Sequence, residues 1–210
     1  MPKIKKDRKK FLNLLTKQHI ENAVARIITR DGVLRLTMDK IAEEAGVAKG
    51  TLYLHFETKN QLLQATMDSC FERLTENLFE ILDSDLAPDV RLKQMINRHM
   101  SFFDENRDFF RVLLYERNLA QTKKPRHGSS RYQAFVEKIA EVVKQGIRSG
   151  HFRPVDSAKV AAMIAETTIA LIRLRLICSN PDPVEKDTCL LSSFILRGIG
   201  MQGTSPGERT

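Results

Sequence analysis

Residues 46–56 read GVAKGTLYLHF. Gly46 interrupts the chain after a short helical run. Residues 48–56 resume a helical pattern, with Leu52 and Phe56 spaced i, i+4 for one inward face. Gly50 stands one turn inside that segment, where glycine costs roughly 1 kcal/mol relative to alanine. Around it, Lys49, Thr51, Tyr53 and His55 all carry hydrogen-bonding groups. A helix that gives up stability at one position, and rings that position with polar side chains, is shaped for contact with something outside its own fold.

Outward from this stretch the pattern is helical nearly everywhere, and Gly and Pro fall between periodic segments rather than within them. A first helix is expected from about Thr16 to Arg30, with Ile20, Ala23, Val24, Ile27 and Ile28 on one face. Phe11, Leu12 and Leu15 can extend it upstream, and Gly32 can end it with a left-handed cap. Thr37 is an N-cap for a short second helix carrying Met38, Ile41, Ala42 and Ala45. Short helices are not stable alone. These therefore have to meet as one small unit around Ile20, Ala23, Ile27, Ile41, Ala45, Val47, Leu52 and Phe56.

Two short helices joined by a tight glycine turn, here Ala45-Gly46-Val47, make a helix-turn-helix. The helix after the turn then lies in the major groove of a duplex, with its first residues at base edges. This accounts for Gly50, since a side chain there would hold the helix off the DNA. Lys49 reaches phosphate or guanine, and Thr51 a base edge or a thymine methyl. Tyr53 and His55 donate to phosphates. Lys59 and the amides that open the next helix form a second phosphate clamp. For His55 the alternative is an ordinary surface histidine, and for Tyr53 sideways packing against Lys49 or Lys59.

From Ile20 to Leu62, about a fifth of the chain, the sequence resembles the DNA-binding domain of the TetR/AcrR family of transcriptional regulators. The matching residues are Ala23, Ile27, Gly32, Thr37, Met38, Ile41, Ala42, Ala45-Gly46-Val47, Lys49-Gly50-Thr51-Leu52-Tyr53, His55-Phe56 and Lys59. GHFRPVDSAKVAAM, residues 150–163, also resembles the segment leading into the family's eighth helix. Ala48 departs from the pattern, because many members carry serine there. The departure removes a side-chain N-cap worth typically about 1 kcal/mol.

The resemblance implies an all-α protein of about nine helices. Residues 1–60 would hold a basic arm and a three-helix DNA-binding domain, residues 61–200 a helical domain for effector binding and dimerisation, and residues 201–210 a disordered tail. It also implies a homodimer reading a palindromic double-stranded DNA operator and released by a small-molecule effector, with Thr37 adding a phosphate contact. An activator, a ligand-independent regulator and a non-specific DNA-architectural protein are the alternatives.

Charge agrees with a polyanionic partner. The chain has 210 residues and a net charge of +8. Residues 1–60 hold 13 Lys and Arg against 7 Asp and Glu, so most of the excess lies in the first third. Six of those basic residues crowd positions 3–10 and read as a flexible arm, either entering the minor groove or attracting DNA without regard to sequence. No run of apolar residues is long enough to span a membrane. Cys70, Cys178 and Cys189 share no metal spacing and read as reduced thiols of a cytoplasmic protein. No nucleophile, phosphate-loop, zinc or dinucleotide motif is present, so neither an enzyme nor a cofactor is expected.

Further along, residues 99–117 read HMSFFDENRDFFRVLLYER. His99, Phe102, Phe103, Phe110 and Tyr115 are candidates for the wall of an effector pocket, against the alternative of ordinary core between long helices. Arg173 and Arg175 lie in an otherwise apolar helix. They suit an anionic effector, a dimer-interface ion pair or a solvated stripe. Residues 121–130 read as a polar loop.

Overall fold

The structure, a computed structural model, describes residues 2–111 and 130–201; of residues 2–11 and Val33 it describes the backbone only. Nearly all of this is helix: α1 (Pro2–Asp31), α2 (Met38–Ala45), α3 (Lys49–His55), α4 (Lys59–Asp83), α5 (Pro88–Glu105), α6 (residues 107–111), α7 (Ser130–Arg148), α8 (Ser157–Ile177) and α9 (Val184–Ile199). Tyr115, most of the expected polar loop and all of the expected C-terminal tail except Met201 lie outside the described residues. The chain divides into two compact units, Met1–Arg73 with Asp108–Gln121 and Leu74–Arg107 with Thr122–Thr210. The first division falls within α4.

In the first unit the core is Ile20, Ala23, Val24, Ile27 and Ile28 of α1, Ile41 and Ala42 of α2, Leu52 of α3, and Phe56, Leu62 and Leu63. Ala45 and Val47, expected in this core, are only half-buried, because the tight turn carries them to its edge. The first helix also differs from expectation. It begins at Pro2, so the basic residues at 3–10 form its opening turns and not a flexible arm. Proline suits a first helical position, and the lysines, arginine and leucines that follow are good helix formers with no Gly or Pro among them.

In the second unit α5 lies against α7, α8 and α9, and α7 against α8. Its core includes Leu92, Met95, Ile96 and Met100 of α5, Ile139 and Val143 of α7, and Ile164 and Ala165 of α8. Residues 151–156, which read as a plain connector, contribute Phe152, which is buried. Its ring covers Gly146 so closely that a Cβ there would stand 2.1 Å from ring carbon Cδ2. Arg153 N–H donates to the Ile199 carbonyl at 2.9 Å beside an isolated antiparallel bridge between Phe152 and Gly200.

Arg175 is also buried in this unit. It donates to Asp104 at 2.6 Å, to Asp187 at 2.5 Å and to the Asp182 carbonyl at 2.9 Å. Burial works to lower its pKa, and the hydrogen bonds it donates to Asp104 and Asp187 outweigh it, so the guanidinium is held above its ordinary range. Arg175 is thus an internal tie among α5, α8 and the start of α9, rather than part of a solvated stripe. Arg173 is exposed.

Candidate nucleic-acid interface

The turn between α2 and α3 is built by local chemistry. Gly46 has φ 67° and ψ 32°, a left-handed conformation that glycine adopts without penalty. The Gly46 N–H donates to the Glu43 carbonyl at 3.1 Å and the Val47 N–H to the Ala42 carbonyl at 3.0 Å, the paired bonds of a Schellman motif. At the other end of α2, Thr37 Oγ1 accepts from the Lys40 N–H at 3.3 Å. The expected N-cap is therefore in place. Ala48 opens α3 with no side-chain cap bond, as its methyl group requires.

The angle of α2 against α1 is held by an exposed ionic cluster. Arg26 Nε donates to Glu44 Oε1 at 2.8 Å and Arg30 Nη1 to Glu44 Oε2 at 3.0 Å, while Arg30 Nε donates to Asp31 at 3.2 Å. The hydrogen bonds from Arg26 and then Arg30 hold the Glu44 carboxyl below the usual carboxylate range.

On this frame α3 turns Leu52 inward, wholly buried, and leaves the opposite side open. Lys49 and Gly50 are exposed, Tyr53 is 43% exposed, and Thr51 and His55 are half-buried. A Cβ built on Gly50 would meet nothing within 4 Å. Its φ is not in the left-handed region, so among the described residues neither space nor backbone conformation demands glycine there. Lys49 is engaged with Asp39 of α2 at 2.5 Å, and that hydrogen bond holds its ammonium above the ordinary range. Both partners are more than half exposed, and a pair of that kind is exchanged for another partner at small cost. Asp39 had no signal in the sequence beyond its place in the first turn of α2.

Lys59 is the first residue of α4 and half-buried. The amides around it are partly committed. Thr58 Oγ1 accepts from the Gln61 N–H at 3.1 Å, and Gln61 Oε1 accepts from the Glu57 N–H at 2.7 Å. Thr37, Lys49, Gly50, Thr51, Tyr53, His55 and Lys59 all fall within the first unit.

The expected effector residues divide differently. His99, Phe102 and Phe103 are buried in the second unit. The His99 ring meets Phe135 edge-on at 5.5 Å and lies 5.7 Å from Phe103, which meets Phe102 at 5.6 Å. Phe110 belongs to the first unit, where it stacks 5.7 Å from Phe71. The space beside Phe103 that Met100, Asp104, Arg107, Ile172, Arg175 and Leu176 enclose has no room for a water molecule. An open groove of about 650 Å³ in the second unit, walled by Phe79, Leu82, Arg91, Lys138, Glu141 and others, holds none of the expected residues.

Two family models match the chain. Residues 20–66 match bacterial regulatory proteins of the tetR family, and residues 85–173 match the tetracyclin repressor-like C-terminal domain. The chain belongs to the TetR family. A TetR transcription regulator from Haloarcula marismortui ATCC 43049 has the same fold, with a TM-score of 0.73 at 21% identity over 89% of this chain and 98% of that one. YhgD of Bacillus subtilis (strain 168), an uncharacterized HTH-type transcriptional regulator, is 25% identical over 195 residues, 87% of this chain and 96% of its own. YerO of the same organism, described in the same words, is 31% identical over 103 residues; the match spans 48% of this chain and 35% of YerO.

As a TetR-family member the chain is a DNA-binding transcriptional regulator with an N-terminal helix-turn-helix. Regulators of this family are in general not enzymes. Among the described residues no helix is long and apolar enough to cross a membrane, and no group of three or more His, Cys, Asp or Glu side chains is placed to hold a metal ion.

Proposed function

We propose that this TetR-family regulator is a cytoplasmic homodimeric repressor. It reads a two-fold symmetric operator with α3 and leaves it when a small molecule binds the helical domain. The observation that carries the reading is Gly50. Nothing among the described residues needs a glycine there, so its use is to let the α3 backbone approach a duplex closely. Lys49 exchanges Asp39 for a phosphate or a guanine, and Thr51 meets a base edge. Tyr53, His55, Lys59 and the Thr37 hydroxyl grip phosphates on either side.

A second copy suits the outer faces of α8 and α9. Met163, Leu174 and Ile177 on α8 and Leu190 and Phe194 on α9 are each 59–74% exposed, an apolar stripe a monomer would leave in water. The effector would sit within the second unit, beside His99, Phe102 and Phe103 of α5. It acts by linkage. A ligand that favours the DNA-free arrangement weakens operator binding by the same factor by which the operator weakens the ligand. α4 has residues in both units and is the natural lever.

The test is selection of bound duplexes from random DNA, followed by titrations at several salt concentrations. The wild type returns a site with two-fold symmetry. Gly50→Gln loses it, Thr51→Ala shifts the preferred bases, and Lys59→Ala weakens all duplexes alike and flattens the salt dependence. Full recognition by Gly50→Gln would sink the reading.

A further inference from the structure

The open side of α3 carries one more side chain, and it is apolar. Leu54 is 86% exposed. An exposed leucine by itself means little. Its direction is what carries weight. At about 100° of turn per residue, buried Leu52 and buried Phe56 mark the inward side of the segment. Leu54 points almost directly away from them, between Gly50, one turn earlier, and Thr51. Tyr53 and His55 stand to either side.

Gly50 presents no side chain, and the space over it is empty. A surface that comes close enough to touch the Gly50 backbone therefore meets Leu54 head on. In a major groove that surface is a row of base edges, and leucine has neither donor nor acceptor for them. The apolar group available in the groove is the 5-methyl of thymine. Against a cytosine amino group or a guanine carbonyl, the same leucine would strip away water and return no hydrogen bond. The contact thus favours thymine and disfavours its replacements.

Resting on the reading of α3 as the groove helix, we infer that Leu54 is a specificity-determining residue that reads a thymine methyl in each half-site. The polar residues around it grip phosphates and meet hydrogen-bonding base edges; Leu54 adds discrimination for a methyl group.

The experiment uses the full chain and a duplex chosen by wild-type selection. Each thymine is replaced singly by deoxyuridine, which removes the methyl group and leaves the Watson–Crick edge intact. Affinity is measured for the wild type, Leu54→Ala, Thr51→Ser and Leu34→Ala. Thr51→Ser removes the methyl group of Thr51 but keeps its hydroxyl. Leu34 is 93% exposed and lies outside α3, so its variant reports the effect of trimming any exposed leucine.

At one thymine per half-site the wild type loses roughly fourfold on the change to uracil, the worth of about one buried methyl group. Leu54→Ala binds the thymine duplex more weakly and no longer distinguishes thymine from uracil there, while Thr51→Ser and Leu34→Ala still do. Discrimination that survives in Leu54→Ala, that vanishes in Thr51→Ser instead, or that the wild type lacks at every thymine overturns the inference and leaves the regulator reading standing. A wild type that selects no sequence at all overturns both. Because Leu54 faces water, Leu54→Ala keeps the fold, and an unchanged circular dichroism spectrum checks this.

Discussion

In the first unit two arginines converge on one carboxylate, Glu44; in the second, two carboxylates converge on one arginine, Arg175. The bonds to Glu44 are 2.8 and 3.0 Å and those from Arg175 are 2.6 and 2.5 Å. The surroundings differ, since the side chains of Arg26 and Arg30 are 54% and 59% exposed and that of Arg175 only 6%. In water the ions have alternative partners, so the exposed cluster aims α2 against α1 without contributing much stability. In the interior, an ion that loses its partner keeps its desolvation cost, so the buried cluster binds α5, α8 and the first turn of α9 to one arrangement.

The largest effect should come from breaking the buried cluster. Arg175→Met leaves Asp104 and Asp187 facing each other across an apolar side chain. It is expected to destabilise the protein by about 3 kcal/mol, the lower end for a broken buried pair because both carboxylates keep some exposure. Urea unfolding followed by circular dichroism measures this, the chain having no tryptophan. A loss no larger than that from Arg30→Met would erase the contrast.

Next is Gly146→Ala. The added methyl group meets the Phe152 ring, and the cost of such overpacking is about 1–3 kcal/mol. Phe152→Leu in the same chain should recover part of it, and thermal midpoints of the single and double variants decide.

In the first unit the change runs the other way. Ala48→Ser supplies α3 with the side-chain cap it lacks and should raise stability by up to about 1 kcal/mol. An unchanged midpoint would show that the opening of α3 is already satisfied.

The smallest effect belongs to Glu44→Gln, which should lower the midpoint only slightly at neutral pH, because the cluster is exposed, and not at all in acid, where wild-type Glu44 is itself protonated. Its signature is therefore in the pH dependence. The folded Glu44 carboxyl is held below its unfolded value of about 4.3, so its contribution is complete above that pH and fades as the pH falls through the lower folded value. Glu44→Gln should flatten that part of the stability–pH curve, and a curve parallel to wild type would place the dependence elsewhere.

The helix-turn-helix was legible because its signals are local. Thr37, Gly46 and the Leu52–Phe56 pair act within a few residues of themselves, and the cap, the turn and the inward face all appear where the sequence puts them. Signals that depend on a distant partner were not legible. Arg175 reads as a charge on an apolar helix until Asp104, seventy-one residues away, closes on it. Phe152 reads as part of a connector until it is seen covering Gly146. The candidate effector residues fall in between. Their apolar character is plain, but Phe110 meets Phe71 in one unit while His99 meets Phe103 and Phe135 in the other.

By itself the sequence determined the helical class, the capped turn before α3 and the polar residues around a bare glycine, because backbone propensity and capping act over one or two turns of chain. Tertiary structure alone decided which charges are buried, and that Leu54 stands directly outward beside Gly50. Exposure belongs to a side chain only once every other element has taken its place around it.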